Sequence, residues 1–387
     1  MCHEEEHGQL IDTQNLFTRK LLESFETFHD TYTIFHRHAC LAICFIGIIA
    51  NLLHILVLSR ERMRRCAVNN ILCAVAVCDV LTMMSYIIYL IRFRIYQQSQ
   101  DVGYTYGWIL FLKLHVVISM TLHGITLYLG VALAFVRWRA LGNVHSALLQ
   151  PKSAWILFFV ITICITILCL PTVYLHQVVK WRPKQEMETS TLANFIRVPS
   201  ESLPTSGYTL DYLTENISCV FLKFNLWMLA VFLKALPCML LLWFTTALIL
   251  KLRATDEKRN YLYSKSFRKH IKKTTISDRT TVILIITLCV FLLTELPQGF
   301  VALLHALWTY DIDQYVFPYL AELFDFLSLL NCSVDFILYC FMSSRYRQTF
   351  GHMLIRLESW IRHRNKSNHI PLSNRKNNNS SNASQMP

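Results

Sequence analysis

Apolar runs of about 20 residues or more recur along the entire chain, and their length decides the fold class. As a helix, such a run crosses the hydrocarbon core of a bilayer, and the runs fall at 39–59, 67–92, 108–135, 153–176, 224–250, 281–306 and 317–342. Hydrocarbon offers no partner to backbone N–H and C=O groups, so each run must be helical or belong to a closed barrel. These segments are too long and too uniformly apolar for barrel strands. The expectation is an all-α membrane protein, a bundle of seven transmembrane helices. Of the 387 residues only 16% are charged, against roughly 25% in soluble domains. That shortfall argues against several soluble domains joined by polar linkers.

Seven spans put the termini on opposite faces, and charge says which is which. The loops at 60–66, 136–152 and 251–280 and the tail after 344 hold 25 of the 37 Lys and Arg residues and five acids. Residues 1–38 hold seven acids and three bases. The positive-inside rule then places the N-terminus outside and the tail in the cytoplasm. The expected organisation is an extracellular N-terminus (1–38), a helical receptor domain (39–342), a short amphipathic eighth helix on the membrane surface (343–364) and a disordered tail (365–387). In the third of these, Phe350, Met353, Leu354, Leu357 and Ile361 recur at helical spacing among bases, which suits a helix lying on inner-leaflet lipid. The net charge of +12 is spread over separate loops, so it reads as a topology signal, and nucleic acid is not an expected partner.

Most of the 13 cysteines sit in apolar spans, where they serve as small core side chains. Cys2 and Cys219 are on the outer side and Cys40 is at the membrane edge, and spacing leaves their pairing open. Asn216-Ile217-Ser218 is a glycosylation sequon in the long outer loop 177–223. No Cys/His ligand cluster, GxSxG, HExxH or phosphate-loop pattern occurs, so neither a metal site nor an enzyme is expected, and no cofactor.

Polar residues inside the spans carry the functional information, because they must face the bundle interior or water. At 100° per residue, His115, Ser119, His123, Thr126, Gly130 and Arg137 lie along one line of the third span. Glu322, Asp325, Asp335 and Tyr339 share a face of the seventh, with Asn331 at its border. Glu295, Gln298 and His305 share one face of the sixth around Pro297, and Asp79 and Asn51 come from the second and first. Pro171, Pro237 and Pro297 are expected to interrupt their helices. By depth, His115, Gln298, His305, Glu322 and Asp325 lie toward the outside, and Asn51, Asp79, Thr126, Asn331 and Asp335 lie in the middle to inner half. Glu295 and His123 fall between. This layout implies an outer ligand pocket above an inner network able to hold water or a small cation. A receptor uses both; a transporter, the lesser alternative, would need a through-path and often internal repeats, and the two halves show no repeat.

The chain resembles the rhodopsin-like G-protein-coupled receptors over nearly its whole length. The resemblance rests on Gly47-x-x-x-Asn51, Asn69 through Asp79, Arg137, Pro237, Pro297, and Asn331-Cys332-Ser333 leading into Asp335-Phe336-Ile337-Leu338-Tyr339. More narrowly, "TLHGITLYLGVALAFVRWRAL", "KALPCMLLL", "DRTTVILIITLCVFLLTELPQG" and "NCSVDFILYCFMSSRYRQTF" look like the myosuppressin-receptor branch, including the nematode serpentine receptors of class w. The resemblance implies a plasma-membrane receptor for a short amidated peptide ending in Arg-Phe. His115, Ser119, His123, Glu295, Gln298, His305, Glu322 and Asp325 would bind that ligand. It implies an allosteric sodium ion among Asn51, Asp79, Thr126, Asn331 and Asp335. Arg137, Trp138, Pro297 and Tyr339 would serve activation and a heterotrimeric G protein of the inhibitory class, with arrestin as a further partner. A chemosensory receptor for a small molecule is the alternative of the same fold. The chain departs from the broad pattern at Val136, where an acid would precede Arg137, at Phe336, where a proline would stand, and at Glu295, on an aromatic switch position. It also has no cysteine to open the third helix, so the usual disulfide to Cys219 cannot form.

Overall fold

The computed structural model describes residues 11–12, 14–96, 103–140, 150–180, 207–212, 216–265, 276–342 and 344–368. The first helix, α1 (Leu16–Leu58), is capped by Asn15, whose side chain accepts from the Phe17 N–H at 2.9 Å. It starts well before the apolar run at 39, so part of the expected N-terminal segment is helical. A short turn, α2 (Glu61–Arg64), leads to α3 (Ala67–Tyr89), which ends in a π-helical stretch, Leu90–Ile95. Then follow α4 (Tyr106–Ala140) and α5 (Pro151–Leu175), the latter opened by a proline at its first position, where the missing N–H costs nothing.

Two strands, β1 (His176–Lys180) and β2 (Tyr208–Tyr212), pair antiparallel with His176 opposite Tyr212 and Lys180 opposite Tyr208. This ribbon lies in the connection after α5, outside the helices that make up the rest of the described regular structure. Mutual hydrogen bonds between Tyr104 and Tyr208 tie this ribbon to the start of α4. That end of α4 carries no cysteine.

The next long helix is built in three pieces: α6 (Asn216–Met228), a π stretch at Leu229–Ala235, and α7 (Leu236–Lys265). Pro237 has no N–H to offer the Phe232 carbonyl five residues earlier, and the Tyr128 hydroxyl donates to that carbonyl instead. α8 (Ile276–Leu307), the short α9 (Thr309–Tyr315) and α10 (Phe317–Met342) follow, and α5 and α8 run on as helices through Pro171 and Pro297. The last helix, α11 (Ser344–Asn368), extends past the expected boundary at 364. The chain divides into two compact units at Leu338/Tyr339, a few residues before the expected boundary. The side chains of Asp335, Tyr339, Asn216 and Cys219 lie outside the described residues, as do Cys2 and the tail beyond 368.

Among the described residues, five helices are long and apolar enough to cross a bilayer: Leu16–Leu58, Ala67–Ile95, Tyr106–Ala140, Pro151–Leu175 and Val220–Thr255. Their interior contacts use small side chains, which let helices approach where no hydrophobic force drives them together. Ala67, Ala74 and Cys78 of α3 meet Ile125 and Leu129 of α4 and Ala154 and Cys169 of α5. At Gly47 a Cβ would fall 2.5 Å from Met83 Sδ and 2.6 Å from Ser333 Oγ, so α1 needs glycine there. The outer face of α5 is the converse. Ile156, Phe159, Ile163, Ile167, Leu170 and Tyr174 recur at three- and four-residue spacing and are all exposed. A stripe like that suits lipid rather than water.

Candidate functional site

Three polar layers lie one below another in the helical domain. The upper one centres on Glu322 of α10, only 1% exposed. Arg94 Nη1 sits 3.0 Å from Glu322 Oε1, and Thr33 Oγ1 of α1 donates to Oε2 at 2.9 Å. Arg94 also donates to the Tyr89 hydroxyl at 3.0 Å, and the Tyr86 hydroxyl donates to Asp325 Oδ1 at 2.9 Å. His115 packs between Tyr86 and Tyr89, each centroid 4.8 Å away, with Nδ1 3.2 Å from Ser85 Oγ. It is thus a packed structural histidine. Ser119 turns back onto its own helix, donating to the Val116 carbonyl. His305 meets Asp313 at 2.9 Å, and the Asp311 carboxylate accepts from the Ile11 N–H. At the rim, Arg92 lies over the rings of Tyr104 and Trp108 at 4.9 and 5.2 Å. His176, just past α5, has its pKa lowered by burial, so the neutral ring donates Nδ1–H to the Thr172 carbonyl at 2.8 Å.

The middle layer is a compact charged knot. Glu295 of α8 is 0% exposed, and its Oε2 lies 3.1 Å from both Lys234 Nζ and His123 Nε2. Lys234 Nζ is also 3.1 Å from His123 Nε2 and donates to Gln298 Oε1 at 3.1 Å. Ser328 of α10 donates to the same Gln298 oxygen at 3.2 Å. An isolated carboxylate or ammonium at this depth would be costly; paired, each offsets the other. Lys234 was not anticipated as a site residue. Its signal was a lone cation inside the apolar run 224–250, three residues before Pro237. Arg94 fell just outside the second run. Both cations sit in π-helical stretches, where the extra residue per turn swings side chains away from the face a regular helix would give them.

The inner layer surrounds a cavity of about 130 Å³ lined by Asp79, Thr126, Gly130, Asn331, Thr245 and Arg137, among others. Thr126 to Arg137 is 11 residues of one helix, about 16 Å at 1.5 Å per residue, so the cavity runs toward the inner end. Asn51 stands beside this region. Its Nδ2 donates to the carbonyls of Gly47 and Cys332 at 3.0 and 2.9 Å, and its buried Oδ1 has no hydrogen-bond partner among the described residues. At the inner end of α4, Lys251 of α7 donates to the Trp138 carbonyl at 3.0 Å and lies 4.9 Å from the centroid of its ring. Phe244 packs against Phe135 and Trp138 beside them. Cys40, a candidate for an outer disulfide, is a free buried thiol 3.4 Å from His36 Nδ1.

Comparison with known proteins bears on this arrangement directly. Residues 38–356 match the model of the serpentine type 7TM GPCR chemoreceptor Srw family. The G-protein coupled receptor dmsr-1 of Caenorhabditis elegans is 28% identical over 368 residues, covering 87% of this chain and 71% of the relative. The sex peptide receptor of Drosophila melanogaster is 26% identical over 317 residues, covering 80% and 70%. The match takes in α3, α4, α5 and α10, all the residues of the middle and inner layers, and Arg94 and Glu322 above them. The chain is a multi-pass membrane protein and belongs to the Srw family of serpentine G-protein-coupled receptors.

Proposed function

We propose that this protein is a plasma-membrane neuropeptide receptor of rhodopsin-like architecture, with seven spans, an outer N-terminus and α11 on the inner leaflet. Its agonist is a short amidated peptide ending in Arg-Phe, and it acts on a heterotrimeric G protein of the inhibitory class. The observation that carries this reading is the separation of the buried polar groups into an outer layer, a charged middle knot and an inner cavity reaching Arg137. Such a stack can pass a ligand's effect from one face to the other. The peptide class is supported by the name of the Drosophila relative; the Srw family's description as chemoreceptors supports a small-molecule ligand as the second reading.

The outer layer also narrows where a cationic ligand residue would sit. Glu322 is held by Arg94, Glu295 by Lys234, Asp313 by His305, while Asp325 is met at hydrogen-bond distance by a neutral phenol and is only partly buried. Asp311 is buried and accepts from a backbone N–H, so Asp325, the more exposed of these two, is the acid we assign to a ligand guanidinium. Asp325→Asn is expected to weaken an arginine-containing agonist by about 30-fold or more, as loss of one partner of a desolvated pair does. Potency of the citrulline analogue, which lacks the charge, should change little. Equal losses for both peptides would remove Asp325 from the contact.

The inner layer fits a sodium ion, a hard cation that takes oxygen ligands. Asp79, Thr126 and Asn331 bring oxygens to one cavity, and the buried Asn51 Oδ1 has no hydrogen-bond partner among the described residues. A cation there would favour the conformation that encloses it and would leave as the cavity collapses. Replacing sodium by choline is expected to raise agonist affinity in the parent and to leave Asp79→Asn unchanged. A parent insensitive to sodium would exclude the site.

A further inference from the structure

With Glu295 and Lys234 ionised, the knot around Glu295 has a mismatch that neither state of His123 Nε2 removes. Lys234 Nζ, His123 Nε2 and Glu295 Oε2 form a triangle with every edge 3.1 Å. If His123 Nε2 carries a hydrogen, it donates to Glu295 and two donors face each other on the lysine edge. If it carries a lone pair, it accepts from Lys234 and two acceptors face each other on the glutamate edge. One edge is always unsatisfied. Meanwhile both donors crowd onto Oε2, and Glu295 Oε1, on a fully buried residue, has no hydrogen-bond partner among the described residues. In a buried site an unmet acceptor beside a surplus donor is a strong demand for a third group.

With Nε2 protonated, the two unmet functions are one acceptor, Oε1, and one N–H of Lys234, next to each other on the same ion pair. A carboxylate presents acceptors only, and an ammonium presents donors only. A primary carboxamide presents a carbonyl oxygen and an N–H on the same side, and so meets both at once. A trans secondary amide has its N–H on the opposite side from its carbonyl and cannot. Lys234 and His123 keep 17% and 11% side-chain exposure, so both remain partly accessible beside the fully buried Glu295. We propose that Glu295 and Lys234 form the seat of a primary carboxamide of the ligand, its N–H to Glu295 Oε1 and its carbonyl to Lys234 Nζ. This rests on the receptor reading and deepens it, for it assigns the group that reaches farthest into the bundle. A peptide's amidated C-terminus and a Gln or Asn side chain both supply that chemistry.

Two arms test it on the full-length protein. In the first, the purified receptor is melted in the presence of N-acetyl-phenylalaninamide, its free acid or its N-methylamide. The primary amide is expected to stabilise the parent, the other two not, and Glu295→Gln is expected to abolish the difference. In the second, cells expressing the receptor receive Phe-Met-Arg-Phe-amide or its free acid. The amide is expected to be about 100-fold more potent or better, because a buried acceptor left unmet penalises the analogue heavily. In Glu295→Gln, whose side-chain N–H can meet a carboxylate, the ratio should fall below about tenfold. If that variant does not reach the surface, Glu295→Asp, which withdraws the oxygens, is expected to lose the same preference. The free acid of Phe-Met-Arg-Gln matching the tetrapeptide amide would keep the seat and assign it to a side chain. Peptides that signal equally as amide and acid overturn the seat and leave the peptide reading standing. Silent peptides with an amide-specific shift in melting do the reverse. Silence with no shift overturns both.

Discussion

Lys234→Met is expected to lower the melting midpoint of the purified receptor by on the order of 10 °C. The substitution leaves a fully buried carboxylate with only His123 beside it, and removing one partner of a buried pair costs about 3–5 kcal/mol. Gln298 would lose the donor on its carbonyl oxygen as well, keeping only Ser328. The double substitution Lys234→Met/Glu295→Gln removes both charges, and is expected to recover more than half of the loss, since the residues touch and their effects cannot add. Agonist potency should collapse in the single variant, because the knot that receives the ligand is no longer assembled. A change of a degree or less in Lys234→Met would mean that the pair is not ionised in the folded protein.

Lys251→Met is expected to raise agonist-independent signalling about tenfold. The rhodopsin-like pattern that the chain resembles has an acid before the arginine at the foot of this helix, and here that position is Val136, which is buried in the core. A polar clasp between α4 and α7 is made by Lys251, through one hydrogen bond to the Trp138 carbonyl and one cation–π contact, beside the packing of Phe244 on Phe135 and Trp138. Together these contribute about 1–3 kcal/mol, and opening the inner face beside Arg137 would require them to part. A loss of about 1.4 kcal/mol from the closed form alone multiplies the open fraction about tenfold. Lys251→Arg should stay near the parent, and Trp138→Phe should give a smaller rise because the carbonyl remains. G-protein binding to the open form would raise agonist affinity by the factor by which agonist raises G-protein affinity, as coupling is reciprocal. Unchanged basal signalling at matched surface density would remove the clasp from the resting state.

The sequence was readable where a residue's environment follows from helical period and depth. Five of the apolar runs match the described helices long and apolar enough to cross a bilayer, and the line through His123, Thr126, Gly130 and Arg137 does face the knot and the cavity. The same line misplaced His115, since period alone cannot distinguish a ring packed between Tyr86 and Tyr89 from one that faces a ligand. The sequence also assigned Glu295 and Glu322 to the ligand without their cationic partners. Their cations, Lys234 and Arg94, lie in π-helical stretches, where a regular 100° step predicts the wrong face. Neutral partners such as Thr33, Tyr86 and Ser328 carry no sequence signal at all; only the packing of α1, α3 and α10 brings them to the acids. The strand pair was missed because the loop between α5 and α6 has no long alternating pattern, and its register is set by the bridge to Tyr104.

The most direct measurement is activation of individual heterotrimeric G proteins in cells that display the receptor, challenged with a panel of amidated Arg-Phe peptides. A saturable response at submicromolar peptide, carried by an inhibitory-class G protein, is the expected result. Silence toward every peptide from a receptor shown to be at the surface, with a response to a small molecule, would contradict the peptide-receptor reading.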